Sequence, residues 1–233
     1  MPSRAARLFA WTGAALFCGS LLYFLFTYAV TFTEIRAGGF TIGSVVADIA
    51  LFSIFALHHS LFARGPVRAW VKRHVSPYLE RSMYVWVASG LFILTCADWQ
   101  YVQGVAWYVD GAWAWLLHLA QVVGVILTIR SAAIIDAFEL AGIRQLTPGT
   151  ATHTEFSTAG PYGWVRHPIY AGWFLLVWPV ALMTMTRLVF AVTSCVYLLV
   201  AIPLEERTLR ATSGGAYDAY ARTVRWRVVP YLY

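Results

Sequence analysis

The sequence predicts an all-α polytopic membrane protein of about six transmembrane helices, closing in a C-terminal helical hairpin. Three observations carry that prediction. Of 233 residues, 60% are hydrophobic and only 12% are charged, about half the charged share usual in a soluble domain. Apolar stretches approaching the roughly 20 residues needed to cross a bilayer recur along the chain. The basic residues gather in alternate connecting segments, the distribution that sets orientation in a membrane. A soluble fold of this length has no means of hiding so much apolar surface. Disorder requires the opposite composition.

The first apolar run, 8–32, follows Arg4 and Arg7. It exceeds the apolar core of a secretory signal, and no clear small-residue cleavage site follows, so a retained helix is expected. The second run, 41–63, spans despite Asp48. The third covers 83–97, and the fourth covers 112–129 with a continuation toward 135. Two shorter runs, 168–184 and 188–203, are joined by Met185, Thr186 and Arg187, a connection short enough only for a tight hairpin.

The basic residues orient these spans. With the N-terminus cytoplasmic, the inside segments are 1–7, 64–82, 130–167 and 204–233. They hold Arg4 and Arg7; Arg64, Arg68, Lys72, Arg73 and Arg81; Arg130, Arg144 and Arg166; and Arg207, Arg210, Arg222, Arg225 and Arg227. Of the 17 Lys and Arg, only Arg36 and Arg187 fall outside. Both termini are therefore expected on the cytoplasmic face. The outer segment 99–115, with Trp99, Tyr101, Trp107, Tyr108, Trp113 and Trp115, suits an aromatic belt at the interface. The net charge of +6 is assigned to orientation and not to nucleic acid, because the aromatics lie in apolar runs away from the basic residues. Cys18, Cys96 and Cys195 each sit in an apolar run, which suits neither a disulfide framework nor a zinc site. Nor is a His-ligated metal expected, since the adjacent His58 and His59 point about 100° apart on a helix. The chain reads as one transmembrane domain, with N-terminal helices to 157 and the polar chemistry in 158–230.

Two polar clusters stand out. Segment 160–172 reads GPYGWVRHPIYAG. Gly160-Pro161 makes a turn, and Pro168 suits the first position of a helix. Arg166 and His167 then precede a helix N-terminus, where free N–H groups and the dipole favour an anion. Arg166 adds a fork that grips a carboxylate, and Gly172 admits a close neighbour. The plainer alternative is an interfacial Arg and a capping Pro. Glu205 and Glu206 begin where the last span ends, suited to a cation or an amino group. Their plainer alternative is a Glu206–Arg210 pair one helical turn apart. The hairpin returns both clusters to one face, where a zwitterionic ligand satisfies both.

The run G-P-Y-x-x-V-R-H-P-x-Y-x-G at 160–172, then an apolar hairpin, Glu205-Glu206 with Leu209, and Tyr217 with Tyr220 resemble the isoprenylcysteine carboxyl methyltransferase and phospholipid methyltransferase superfamily. Segments 59–64 (His59-Ser60-Leu61-Phe62-Ala63-Arg64), Trp70, Pro77 with 80–85, and 135–145 are similar to its nurim and methanethiol S-methyltransferase branch. The resemblance covers about 55–230. It implies a methyltransferase within the membrane that uses S-adenosylmethionine, with cofactor contacts at Tyr162, Arg166, His167, Pro168, Tyr170, Gly172, Glu205 and Glu206. Ser213 and Pro230 depart from the pattern near the cofactor lid. Ala137 stands where the branch tends to have His, which bears on the acceptor.

The implied acceptor is a small or lipophilic thiol, or a carboxylate as in a prenylcysteine, reaching the site from the membrane lipid. A thiol must first ionise, and a nearby cation eases that. Arg144 and His167 are the candidate catalytic residues: Arg144 to stabilise the thiolate, His167 to take the proton. His59, Arg64, Glu80 and Arg81 are expected to form a polar network between the second and third spans, and His118 to be a packing residue. Two other readings compete. Membrane sterol reductases share a related C-terminal signature but tend to R-H-P-N-Y with an acid after the glycine, where this chain has Ile169 and Trp173. A non-catalytic nurim-like protein would show a degenerate cofactor site.

Overall fold

A computed structural model describes residues 2–35, 41–62, 65–76, 78–146 and 158–233. The expectations resting on Arg36, Ala63, Arg64 and Pro77 lie outside the described residues. The chain forms two compact units. The first takes the described residues up to Val105, 137–146 and 184–190; the second takes 106–136, 158–183 and 191–233.

In the first unit, helix α1 runs Arg4–Ala29, α2 Ile42–Phe62, α3 Gly65–His74, α4 Glu80–Ala97 and the short α6 Ala137–Leu140. Ser3 starts α1 by accepting the Ala6 N–H at 3.1 Å, one of the donors a helix start leaves over. α1 packs on α4 where Gly13 lacks a side chain: a Cβ there would sit 2.8 Å from Trp86 Cδ1. Trp86 closes the contact by donating its indole N–H to Phe9 O at 2.9 Å.

Phe190 is fully buried at the centre of an aromatic core. It meets Phe24 at 5.3 Å, Tyr28 at 5.8 Å, Phe32 at 5.7 Å, Phe52 at 5.9 Å and Trp99 at 5.0 Å. Arg187, buried one turn before it, donates to Tyr28 O at 2.7 Å and Ala29 O at 3.2 Å. A guanidinium thereby satisfies the last carbonyls of α1, where the negative end of the helix dipole lies. Asp48 Oδ1 accepts the Gln100 N–H at 2.6 Å. Of the polar residues expected to form one network, Arg64 lies outside the described residues, and Arg81 lies 5.0 Å over the ring of Tyr84, which links it to His59. Arg68 Nε meets Glu80 at 2.9 Å, Arg81 donates to Glu139 O at 3.1 Å, and Tyr84 OH meets His59 Nδ1 at 2.8 Å. Trp99 is buried, so it belongs to the core and not to the interfacial belt expected of it.

In the second unit, α5 runs Gly111–Ile135, α7 Pro168–Val177, and α9 Ala216–Thr223. Helix α8, Met185–Thr212, enters this unit at Ala191. A two-stranded ribbon pairs β1, Val105–Tyr108, with β2, Leu182–Thr184. It is extended by the Val109 N–H to Ala181 O bond at 2.8 Å and braced by Trp107 Nε1 to Val180 O at 3.0 Å. α5 and α7 cross at Gly124 and Gly172: a Cβ on Gly172 would come within 2.7 Å of Gly124 O. Gln121 fixes the register by donating to Leu176 O at 2.9 Å. Trp173 Nε1 to Ser194 Oγ at 3.0 Å ties α7 to α8. Trp113 and Trp115 are highly exposed, as an interfacial belt requires.

Four described helices are long and apolar enough to cross a membrane: the one beginning at Arg4, Ile42–Phe62, Gly111–Ile135 and Met185–Thr212. α4 has 18 residues but carries Glu80 and Arg81 in its first turn. The expected fifth span, 168–184, is helical only for ten residues. That is about 15 Å, half the hydrocarbon thickness. Pro179 explains the early end: Trp178 before it still has helical dihedrals, but Pro179 supplies no N–H to carry the helix on. Met185, Thr186 and Arg187, expected as a turn, are the first turn of α8. That helix also passes through Pro203 to Thr212, beyond the expected end of the sixth span.

Candidate active site

The site expected from segment 160–172 forms within the second unit. Gly160 takes the left-handed φ of +55°, which an L side chain resists. The 3-10 turn Gly160–Gly163 then buries Pro161. Pro168 stands first in α7 and His167 just ahead of it. From the other side, α8 carries Glu205 and Glu206 past the end of its apolar stretch. Gly214 and Gly215, both at positive φ, turn the chain into α9.

Glu206 is fully buried, yet three guanidinium groups surround it. Its Oε1 accepts from Arg166 Nε at 2.8 Å and lies 3.3 Å from His167 Nε2. Its Oε2 lies 3.3 Å from Arg210 and 3.4 Å from Arg227. The Glu206–Arg210 pair of the plainer reading exists, but as one contact of a four-way clamp. Arg210 also holds Asp218 of α9 at 3.1 Å. A carboxylate this deep is tolerable only with such partners.

Arg166 does not wait for a ligand carboxylate, as the sequence suggested. It holds Glu206, and its Nη1 donates to Val224 O at 2.9 Å and Arg225 O at 2.6 Å. The backbone N–H groups of Arg166 and His167 go to Trp226 O at 2.9 Å and Arg227 O at 2.8 Å. The anion site expected before α7 is thus largely filled from within the chain. The physical reason is that the segment after α9 lies alongside and offers carbonyls, a proximity no local pattern announces.

Glu205 behaves differently from its neighbour. Its side chain is 34% exposed. Tyr170 OH donates to Oε1 at 2.5 Å, and His167 Nδ1 lies 3.7 Å from Oε2. The rings of His167 and Tyr170 stack 5.4 Å apart. In the tautomer that donates Nε2–H to Glu206, the Nδ1 lone pair of His167 lies on the Glu205 side. Tyr162 joins through its backbone, whose carbonyl accepts from Tyr220 OH at 2.9 Å. Burial pushes the Tyr220 hydroxyl up to about 12 and raises those of Tyr162 and Tyr217 as well.

The structure therefore brings together Arg166, His167, Tyr170, Glu205 and Glu206 around the start of Pro168, with Tyr162 at the edge. Gly172 serves the contact with α5. Arg144 lies in the first unit, half-buried in a 3-10 turn, Arg144–Leu146. Arg227 was read only as a topology charge. A guanidinium in a tail just after the Tyr217–Tyr220 pair was the available signal.

Comparison with known proteins supports the motif reading. Residues 116–212 match the family model described as phospholipid methyltransferase. A methanethiol S-methyltransferase of Crocosphaera subtropica is 34% identical over 194 residues, covering 81% of this chain and 76% of the relative. One of Mycobacterium tuberculosis is 36% identical over 193 residues, covering 78% and 76%. Nurim of Xenopus laevis is 30% identical over 164 residues, covering 65% and 57%. No solved structure matches the chain. Identity at this level across three quarters of both chains settles kinship: the chain is a membrane methyltransferase and belongs to the phospholipid methyltransferase family, together with the methanethiol S-methyltransferases it resembles.

Proposed function

We propose that the protein transfers a methyl group from S-adenosylmethionine to a small thiol, at a site in its 158–230 region on the cytoplasmic face, with both termini on that face. The observation that carries this reading is the partly exposed Glu205 carboxylate, held by Tyr170 and lying 3.7 Å from His167 Nδ1, beside the buried Glu206 clamp. The relatives named methanethiol S-methyltransferase supply the acceptor class.

The donor set fits the cationic end of the methyl donor. Glu205 offers a carboxylate to an ammonium or sulfonium, while the Tyr170 hydroxyl fixes its direction. Glu206 holds Arg166, Arg210 and Arg227 in a frame that carries an excess of positive charge, and Glu205 is the partly exposed carboxylate beside it that the donor meets. When bound, S-adenosylmethionine supplies a methyl group on a sulfonium. The thiol loses its proton and gains that methyl group, so opposite charges disappear together, a change favoured where water is excluded and alignment is good. His167, through Nδ1, is the proposed proton acceptor. Arg144 is proposed as a cation that stabilises a thiolate.

Calorimetric titration of the detergent-purified protein with S-adenosylmethionine and with NADPH tests the donor. Binding of the first, with dimethyl sulfide formed from methanethiol, is expected. Binding of NADPH alone would overturn the proposal. A parallel assay with a prenylcysteine distinguishes the carboxyl acceptor.

A further inference from the structure

Within the second unit, a groove of about 390 Å³ runs between α7, α8 and the segment that follows α9. Phe174 comes from α7, Leu199 from α8, and Val228, Val229, Leu232 and Tyr233 from the final segment. The wall from that segment is fixed in advance. Tyr233 O accepts the N–H groups of Arg227 at 2.8 Å and Val228 at 2.9 Å, and the Tyr233 N–H goes back to Val229 O at 3.0 Å. Three contacts relate the groove to the site. Phe174 follows Tyr170 by four residues, one turn along the same face of α7, and Tyr170 stacks on His167 and donates to Glu205. Leu199 precedes Glu206 by seven residues, about 10 Å along the same face of α8. The Tyr233 hydroxyl accepts from Arg227 Nη1 at 3.1 Å, and Arg227 Nη2 lies 3.4 Å from Glu206. The groove thus continues the site away from its charged end. Leu199 and Val229 are 38% and 39% exposed, so it also opens to the apolar outside of the unit.

We infer that this groove holds the alkyl chain of the thiol acceptor, with the sulfur at the His167 and Glu205 end, so that the protein prefers medium-chain alkyl thiols to methanethiol. The inference rests on the methyltransferase reading for the identity of the occupant and adds no step to it. The lining is apolar except for the Tyr233 hydroxyl, which Arg227 engages. A polar occupant would give up its hydrogen bonds to water and find no replacement there. A cavity that takes a six-carbon ring measures about 150 Å³, and the groove is more than twice that size. A single carbon leaves it nearly empty. At roughly 1.2 Å of reach per bond of an extended chain, an acceptor of about six carbons runs from the level of Tyr170 into the groove. Each methylene taken out of water there strengthens binding by about twofold to fourfold. A chain anchored by its sulfur has a fixed register in the groove, and a membrane lipid chain lying along the outside has none. The two are therefore separable by chain length.

Initial rates of the full chain in detergent, with unbranched thiols from methanethiol to octanethiol, test the assignment. The quantity read is kcat/KM for hexanethiol divided by kcat/KM for methanethiol, a ratio that cancels differences in the folded fraction. In the wild type a ratio of about ten or more is expected. Leu199→Trp and Val229→Trp fill the groove from two different elements and are expected to lower the ratio about fivefold or more. Leu199→Ala enlarges it and is expected to raise the octanethiol to hexanethiol ratio. A wild-type ratio near one overturns the groove. So does a ratio within twofold of wild type in both Trp variants, which assigns any chain preference to partition into the detergent. Mass spectrometry of the purified protein covers the lipid: a phospholipid that the Trp variants release, with the ratio unmoved, gives the groove to a lipid chain and overturns the inference. Calorimetric titration with hexanethiol, without methyl donor, separates the groove from the activity. Hexanethiol binding that Leu199→Trp weakens about fivefold or more, with no methyl transfer to any thiol, overturns the methyltransferase reading and leaves an alkyl-thiol site. Transfer to methanethiol with an unmoved ratio overturns the groove alone.

Discussion

Glu205 and Glu206 are neighbours in the chain and opposites in the fold. Helical geometry turns adjacent side chains about 100° apart, so one enters the Arg166–Arg210–Arg227 clamp while the other stays at the surface. Their substitutions should therefore separate stability from function. Glu206→Gln leaves the buried Arg166 guanidinium without its carboxylate and is expected to cost about 3 kcal/mol, read as a lowered midpoint of thermal unfolding. Glu205→Gln should leave that midpoint nearly unchanged and weaken donor affinity at least tenfold; the reverse pattern would exchange their roles. Tyr220 gives a pH window. Its folded pKa of about 12 stands above the ordinary 10 because burial disfavours the tyrosinate. Its contribution is complete below pH 10 and is lost as pH rises from 10 through 12. Stability should fall across that window, with a shallower slope in Tyr220→Phe.

Helix contacts set the next level. α5 and α7 approach through Gly124 and Gly172, and a Cβ on Gly172 would run into Thr128 Oγ1 as well as Gly124 O. Gly172→Ala is expected to cost about 1–3 kcal/mol through overpacking. Gly19, in α1, has open space where a Cβ would stand, with nothing within 4 Å, so Gly19→Ala should be neutral or stabilising by at most about 1 kcal/mol. Paired melting curves of the two variants check the contrast. Two prolines show what could be read at this level. Pro179 marks the end of α7 in the sequence, but hydropathy alone runs straight through it to 184. Pro203 interrupts nothing, because a packed apolar helix tolerates the loss of one backbone bond.

For the molecule as a whole, charge and apolarity divide the work. The apolar residues of α5 remain largely exposed, as a lipid-facing helix requires. Most arginines flank the spans and bias orientation, but Arg187 caps α1 from within the first unit. Counting it as an outer-loop charge therefore misstates its role while leaving the bias intact. A fluorescent protein fused after Tyr233 is expected to fluoresce on the cytoplasmic side, and an alkaline phosphatase fused there to be inactive. Active phosphatase would reverse the proposed orientation.

The sequence by itself determined the class, the apolar helices, the start of α7 at Pro168 and the residue types of the site. Those follow from transfer of apolar side chains out of water and from the preferences of single turns, both local properties. Only the tertiary structure decided that Arg166 closes on Glu206, 40 residues away, that Trp226 and Arg227 occupy the N–H groups before α7, and that Glu205 stays exposed beside its buried neighbour. A charge in a low-dielectric setting takes whichever partner the fold brings within about 3 Å, and the fold, not the spacing in the chain, chooses that partner.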